Sequence, residues 1–372
     1  MSYKIYLLFT NLLMFFLLLS CSTDEPPNTA IEALPVEINE RSSIISGELE
    51  DDLFFSSLYL TVTDQLGHIY TLDGRQNIIF KFDEEGNFIH TIGGEGRGPG
   101  EFQSVYSMIV TGSNKLLVYD YMSHQATIFD SDGSDYEIIK MNYSNALFNI
   151  RSKSTNELIL PHYQDGHIIH IYNLDQQEMT ASLISTDDVL QSNEEYEIDM
   201  LKVGRGSALA LSDDQIVYAP DYYNGKIHSY HKSDQGWVAG KNIPGYRNIN
   251  KAFTIHETSE PYEDGVNIIS IHPKGTGYLN YEFHSWSLGL FPLNDGGFAH
   301  LSLIDVTDNT DEQHLVLEIF NNQELLKHAI IDEFATPYEQ RPVWIDPSGY
   351  IYIADNRNEP KLSKFEVDWE TR

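Results

Sequence analysis

GHIYTLDGRQNIIFKFDEEGNFIHTIGGEGRGPGEF, residues Gly67 to Phe102, is the stretch that decides the fold. It opens on Gly67-His68-Ile69-Tyr70, an apolar strand, crosses a polar turn at Asp73-Gly74-Arg75-Gln76-Asn77, and returns as Ile78-Ile79-Phe80-Lys81-Phe82. A second turn, Asp83 to Asn87, leads into a last strand from Phe88 to Ile92. The segment Gly93 to Gly100 then holds too many Gly and Pro residues to be helix or strand, and reads as an exit loop. The whole is one short antiparallel unit with apolar residues on both faces.

The same phrase, a turn followed by three or four apolar residues, returns along the chain. Asn114 to Asp120, Ala126 to Asp130 and Tyr136 to Ile139 form a second unit. Asn156 to Leu160 with Ile168 to Tyr172 form a third, and Asp214 to Tyr218 with Lys226 to Tyr230 a fourth. A fifth is poorer, from Gly296 to Leu301 and His314 to Phe320. The last is clear again, Val343 to Asp355 followed by Lys361 to Val367. No segment carries a long helical period. A small sheet with two apolar faces cannot bury them alone, so such units stack radially until the ring closes. The expectation is an all-β, six-bladed β-propeller over residues 31–372. Residues 246–293 form an unusually long interval, an insertion or, in a seven-bladed alternative, a further blade. Ring closure is expected from an amino-terminal strand near Ile38–Ile45 or Leu53–Val62.

Asp346-Pro347-Ser348-Gly349-Tyr350-Ile351-Tyr352-Ile353-Ala354-Asp355 and Gly96-Arg97-Gly98-Pro99-Gly100-Glu101-Phe102 resemble NHL-type repeats. The amino terminus adds to the likeness. Lys4 supplies a positive start, Ile5 to Leu19 is almost wholly apolar, and Leu18-Leu19-Ser20-Cys21 resembles a bacterial lipobox. Together these residues resemble a family of bacterial six-bladed propeller lipoproteins whose function is uncharacterised. The resemblance implies a signal peptide over residues 1–20 and diacylation at Cys21, the sole cysteine, which cannot form an internal disulfide. Residues 21–30 read as a polar, proline-bearing tether. Acyl chains would hold the protein to a membrane without spanning it, and Asp24-Glu25 close behind Cys21 resembles an outer-membrane and surface export signal.

A formal net charge of -33 argues against nucleic acid, because phosphate backbones are gripped by clustered Lys and Arg. The Gly-rich loop lacks the Lys-Ser or Lys-Thr of a phosphate-binding loop, since Glu101-Phe102 follows Gly100. Three arginines, Arg97, Arg205 and Arg341, precede the apolar strands of separate units and would share one rim, where bidentate pairing suits a carboxylated or phosphorylated ligand. The plainer alternative is that each ties down an acidic turn. Tyr106 and Trp344 are candidate rim aromatics for stacking on sugars or peptides.

His162, His167 and His170 surround the turn Gln164-Asp165-Gly166, with His162 and His167 able to face each other as zinc ligands, though one hairpin does not supply a converging triad. Asp305, Asp308, Asn309 and Asp311 form an oxygen-rich stretch that suits calcium but lacks EF-hand spacing. There is no Gly-x-Ser-x-Gly elbow and no His-Glu-x-x-His helix.

The expectation is therefore a monomeric, surface-anchored binding scaffold for a protein, peptide or glycan, without catalysis and without an assigned cofactor. A metal-dependent hydrolase, lactonase or lyase with an axial site is the alternative, and a purely structural envelope protein a third. An enzyme would gather His, Asp and Glu side chains near the axis; a binding module would present Arg and aromatics there.

Overall fold

Asp64 shows how the first unit turns into its second strand. Its carboxylate accepts the backbone N–H groups of Leu66 and His68, each at 2.9 Å, and the hydroxyl of Tyr70 at 3.3 Å. Asp346 repeats the pattern on Ser348 at 2.9 Å, Tyr350 at 3.1 Å and the Tyr352 hydroxyl at 3.1 Å. An acidic turn residue so placed closes the turn and orients the following strand. A second acid ends that strand: Asp73 accepts from the N–H of Ser56 and Ser57, and Asp120 from those of Gln103 and Ser104. Burial pushes the Asp73 carboxyl up, but the hydrogen bonds from Ser56 and Gln76 outweigh it and hold the group below the usual range.

The computed structural model describes residues 34–35, 37–46, 54–141, 149–189, 206–247, 249, 253–260, 268–271, 277–305, 313–331, 340–357 and 359–368. Asp73 and Asp120 thereby hold the residues that lead into the first strands of blades one and two, and the first of these strands lies ahead of Gly67. Blade one has four strands, Leu58–Thr63, Ile69–Asp73, Ile78–Phe82 and Phe88–Gly93, so Gly67 to Phe102 supplies its second to fourth. Blade two is Val105–Val110, Leu116–Asp120, Gln125–Phe129 and Tyr136–Lys140. Blade three begins with the two-residue strand Arg151–Ser152 and continues through Glu157–Gln164, His167–Asn173 and Glu178–Ser185, followed by a helical turn at Thr186–Val189. Blade four is Ser207–Ser212, Gln215–Ala219, Lys226–Ser233 and Gly236–Ala239.

The long interval resolves into two parts. Phe253–Thr258, Ile268–Ile271 and Tyr278–Phe283 form a separate three-stranded sheet with the last of these in the centre. Its Phe253, Ile255, Tyr281 and Phe283 pack on the apolar cluster shared by blades three and four. Ser285–Pro292 is instead the inner strand of blade five, which continues through Phe298–Asp305, Gln313–Asn321 and Glu324–Ile331. The interval is thus an insertion plus a strand, not a seventh blade.

Blade six holds Gln340–Ile345, Ile351–Asp355 and Lys361–Asp368, and its fourth strand is Glu37–Ser46 from the other end of the chain. Of the two closure candidates, Ile38–Ile45 is the one used. Leu58 to Val62 starts blade one instead. Leu34–Pro35 adds in parallel to the outer edge of blade five. Asn356 fastens the seam between the last blade and the first, accepting from Leu58 N–H at 2.9 Å and donating to Leu58 C=O at 3.0 Å.

Six buried apolar clusters hold the ring, and each is shared by two neighbouring blades. Val62, Tyr70 and Ile79 meet Val105, Leu116 and Val118 between blades one and two; Leu117, Tyr119 and Ile128 meet Leu158 and Leu160 between two and three. Ile159 and Ile169 meet Ile216 and Tyr218, and Val217 and Ile227 meet Leu290 and Val316. Leu301 and Leu317 meet Ile351 and Ile353. Tyr352 and Leu362 close the circle on Leu58 and Phe80. The described blades bury both faces, which is why middle strands such as Ile69–Asp73 and Leu116–Asp120 are buried at every position rather than alternating.

Candidate ligand-binding channel

The first strands of the six blades contact one another around the ring and wall its centre. Their sequences are LYLTVT, VYSMIV, RS, SALALS, SWSLGLFP and QRPVWI. In a chain with 56 Asp and Glu residues, these strands contain none, nor any Lys or His. Their charged residues are Arg151 and Arg341. The most acidic of surfaces thus encloses a wall whose formal charge is positive.

Arg151 is placed by the inner strand of blade three, anchored where Ile150 N–H donates to Ser107 Oγ of blade two at 3.1 Å. Its guanidinium lies 5.9 Å from the ring centre of Phe291 and 6.0 Å from that of Trp344. Phe291 and Trp344 belong to the inner strands of blades five and six, so the side chain reaches across the channel. The two rings meet edge to face, 5.5 Å apart at 87°, and Trp344 Nε1–H donates to Thr63 Oγ1 at 2.9 Å. A guanidinium over aromatic faces gains cation–π attraction.

That attraction is the main compensation it receives. One terminal nitrogen of Arg151 donates to the Ile150 carbonyl at 3.1 Å, while Nε is shielded from solvent and has no hydrogen-bond partner. No carboxylate pairs with it among the described residues. Burial pulls its pKa down to about 10, which leaves the charge in place at neutral pH. The residue as a whole is only half-buried, so the head is walled in without being sealed.

A second ionisable cluster lies between blades four and five and is sealed. His300, Glu318 and His328 stand opposite one another on three adjacent strands. Glu318 and His300 are wholly buried. Glu318 accepts from His300 Nδ1 at 2.8 Å, from the Tyr223 hydroxyl at 2.9 Å and from Tyr246 N–H at 2.7 Å. Ser287 Oγ lies 3.0 Å from the other ring nitrogen of His300. A Cβ on Gly245 would stand 2.1 Å from the Tyr223 hydroxyl and 2.4 Å from Glu318, so the glycine is a steric requirement. His328 stacks on Tyr246 at 4.6 Å, and burial lowers its pKa. The cluster ties two blades together.

The sequence candidates fall out as follows. Arg97 is exposed in a loop closed on itself, where Glu101 accepts from Gly98 N–H at 2.7 Å, and it makes no ion pair among the described residues. Arg341 stands in the inner strand of blade six, and Arg205 and Cys21 lie outside the described residues. Tyr106 is on the inner strand of blade two, half-buried and stacked on Tyr121 at 4.8 Å. Trp344 is the candidate that meets Arg151.

A bulge between Pro161 and Gln164 changes the histidine geometry: Gln164, not His162, stands opposite His167. His162 faces His170 instead, with ring centres 5.9 Å apart, and His170 Nε2 lies 2.8 Å from the His162 carbonyl. Burial, with His170 alongside, pushes His162 down to about 4. His167 Nδ1 turns to the Asp165 carbonyl at 3.1 Å. Asp305 ends a strand of blade five, and Asp308, Asn309 and Asp311 lie outside the described residues. Among the described residues no three His, Cys, Asp or Glu side chains are placed to hold a metal.

Fold and channel define a six-bladed β-propeller. Residues 43–237, more than half of the chain, match the model of DUF5128, described as a 6-bladed beta-propeller, and the chain belongs to that family. No curated protein matches the sequence. Among solved structures, a member of the DUF4221 family from Bacteroides vulgatus is similar over 90 % of this chain and 99 % of its own, with 9 % identity and a TM-score of 0.56. A Bacteroides fragilis protein whose name assigns it to export covers 90 % and 95 %, with 8 % identity and a TM-score of 0.51. A virginiamycin B lyase from Staphylococcus aureus covers 90 % and 100 %, with 10 % identity and a TM-score of 0.48. Identities this low show the fold alone, and a propeller fold does not assign chemistry.

Proposed function

We propose that the protein is an exported lipoprotein, anchored to the outer membrane through Cys21, that presents its propeller as a binding module for a protein, peptide or glycan. The observation that carries this reading is the pairing of a guanidinium with two aromatic rings at the centre of the ring. Such a wall holds ligands by charge, stacking and shape. The amino-terminal apolar run before the sole cysteine supports the anchor, and the exported Bacteroides protein of the same fold is consistent with it.

Two measurements test the halves separately. Cys21→Ala is expected to move the protein from the membrane to the soluble fraction; a variant that stays with the membrane at unchanged mobility removes the lipid anchor. The soluble propeller from Ser22 onward, purified without chelator, is expected to hold no stoichiometric metal and to melt at the same temperature before and after EDTA. A bound metal whose removal lowers Tm would replace the binding module with the hydrolase or lyase reading.

A further inference from the structure

A buried charge without a partner is costly, commonly several kcal/mol, unless something pairs with it. Proteins lower that cost by neutralising the group or by supplying a counter-charge. Arg151 does neither. Its side chain stays protonated at neutral pH, its Nε is buried and unpartnered, and the described residues bring no carboxylate to it. The described inner strands, free of acids in a protein otherwise full of them, repeat the same preference.

We propose that the channel binds the oxyanion head, carboxylate or phosphate, of a small ligand or of a partner's side chain or terminus, with Arg151 as its counter-charge and Phe291 and Trp344 flanking the attached apolar body. A planar guanidinium presents several N–H donors in a fork that matches both oxyanions. Here one terminal nitrogen is used on the Ile150 carbonyl, which fixes the head and leaves the remaining terminal donors for a ligand. The two rings, 5.5 Å apart, both lie about 6 Å from the guanidinium and give the side chain an apolar neighbour, while its free terminal N–H groups remain to make charge-assisted bonds to an anion. The negative exterior repels anions at long range but is screened within about 10 Å at ordinary salt, whereas the channel charge acts at contact. Selection therefore falls on ligands that fit the channel, not on anions in general.

This inference deepens the binding-module reading and rests on it. The test is a titration of the soluble propeller with benzoate and, separately, with inorganic phosphate, ionic strength being held constant with sodium chloride. Tryptophan emission is the readout, since Trp344 lies beside the guanidinium. The expected result is a saturable change with at least one probe, weakened about ten- to hundredfold in Arg151→Met. A response to benzoate alone identifies a carboxylate carried on a ring, and a response to phosphate alone a phosphorylated ligand. Arg151→Met is also expected to melt no lower than wild type without anion, because an apolar side chain of similar length replaces an unpaired charge. Should that variant fail to fold, Arg151→Lys, which keeps the charge but loses the fork, decides: weaker saturable binding supports the site. No response in wild type, or equal responses in wild type and variant, overturns it. A peptide or glycan bound equally by wild type and Arg151→Met would overturn the oxyanion site while leaving the binding module standing.

Discussion

Replacing Glu318 by Ala tests the energetics of the ring where its burial is deepest. Three donors, His300 Nδ1–H, the Tyr223 hydroxyl and Tyr246 N–H, converge on this carboxylate, and neither Glu318 nor His300 touches solvent. Truncation strands all three. Each buried orphan costs about 1–3 kcal/mol, and breaking a buried pair from one side costs about 3–5 kcal/mol. Some relaxation will recover part of this, so the expected loss is about 4 kcal/mol. With an unfolding entropy of about 600 cal/mol/K for a domain of roughly 300 residues, that loss lowers Tm by about 6–7 °C. His300→Ala removes the partner, and the double variant should lose less than the sum of the singles by about 2 kcal/mol, since the second deletion no longer strands a charge. Thermal unfolding and urea titration of the four proteins complete the cycle. The reasoning fails if Glu318→Ala loses under about 1 kcal/mol, or if the single losses add within about 0.5 kcal/mol.

Asn356→Ala removes both hydrogen bonds to Leu58 at the seam and leaves that residue's N–H and C=O unmade; a loss of about 2–3 kcal/mol in urea unfolding is expected. Gly93 sits at φ +76° with a would-be Cβ 2.1 Å from the Phe102 ring, so Gly93→Ala should cost more than the roughly 1 kcal/mol of backbone strain alone, with wild-type-like stability counting against this packing. His162 is held near pKa 4 in the fold against about 6.5 unfolded. Between those values the unfolded chain binds the proton and the folded chain does not, so stability should fall by about 3 kcal/mol as pH drops from 7 to 4, and level off below. His162→Gln should flatten that limb of the urea midpoint against pH. Asp73 acts lower still: its depressed carboxyl stabilises the fold above about pH 3.9, a contribution lost on further acidification.

The blades were legible in the sequence from their second and third strands. Ile69–Asp73 and Ile351–Asp355 are buried at every position, and their turns carry acids at fixed offsets, so the phrase repeats visibly. Inner strands do not repeat. Ser107 and Ser207 in them bond to neighbouring blades, other positions face the channel, and blade three has only Arg151–Ser152. With no shared period they leave no repeating signature in the sequence, and Arg151 leaves none with them. Position ahead of a unit's apolar strand points to Arg97, which lies exposed in a loop. Aligning the blades and asking which inner positions carry charge would have led to Arg151. His300 and Glu318 are 18 residues apart and meet only through strand register. The available signal was a Glu inside the apolar run Leu315-Val316-Leu317-Glu318-Ile319-Phe320, a residue that would not be there without a partner.

Glu37–Ser46 completes the last blade although it comes from the opposite end of the chain. Its partner Lys361–Asp368 is therefore made some three hundred residues after it. Throughout synthesis and any passage across a membrane, the earlier strand has an open hydrogen-bonding edge and nothing to pair with. Contacts this distant in sequence slow folding, and unpaired edges invite the wrong partner. The arrangement ties closure of the ring to the synthesis of Lys361–Asp368. Truncated products would lack a closed ring altogether, whereas full-length chains acquire their final seam in one step.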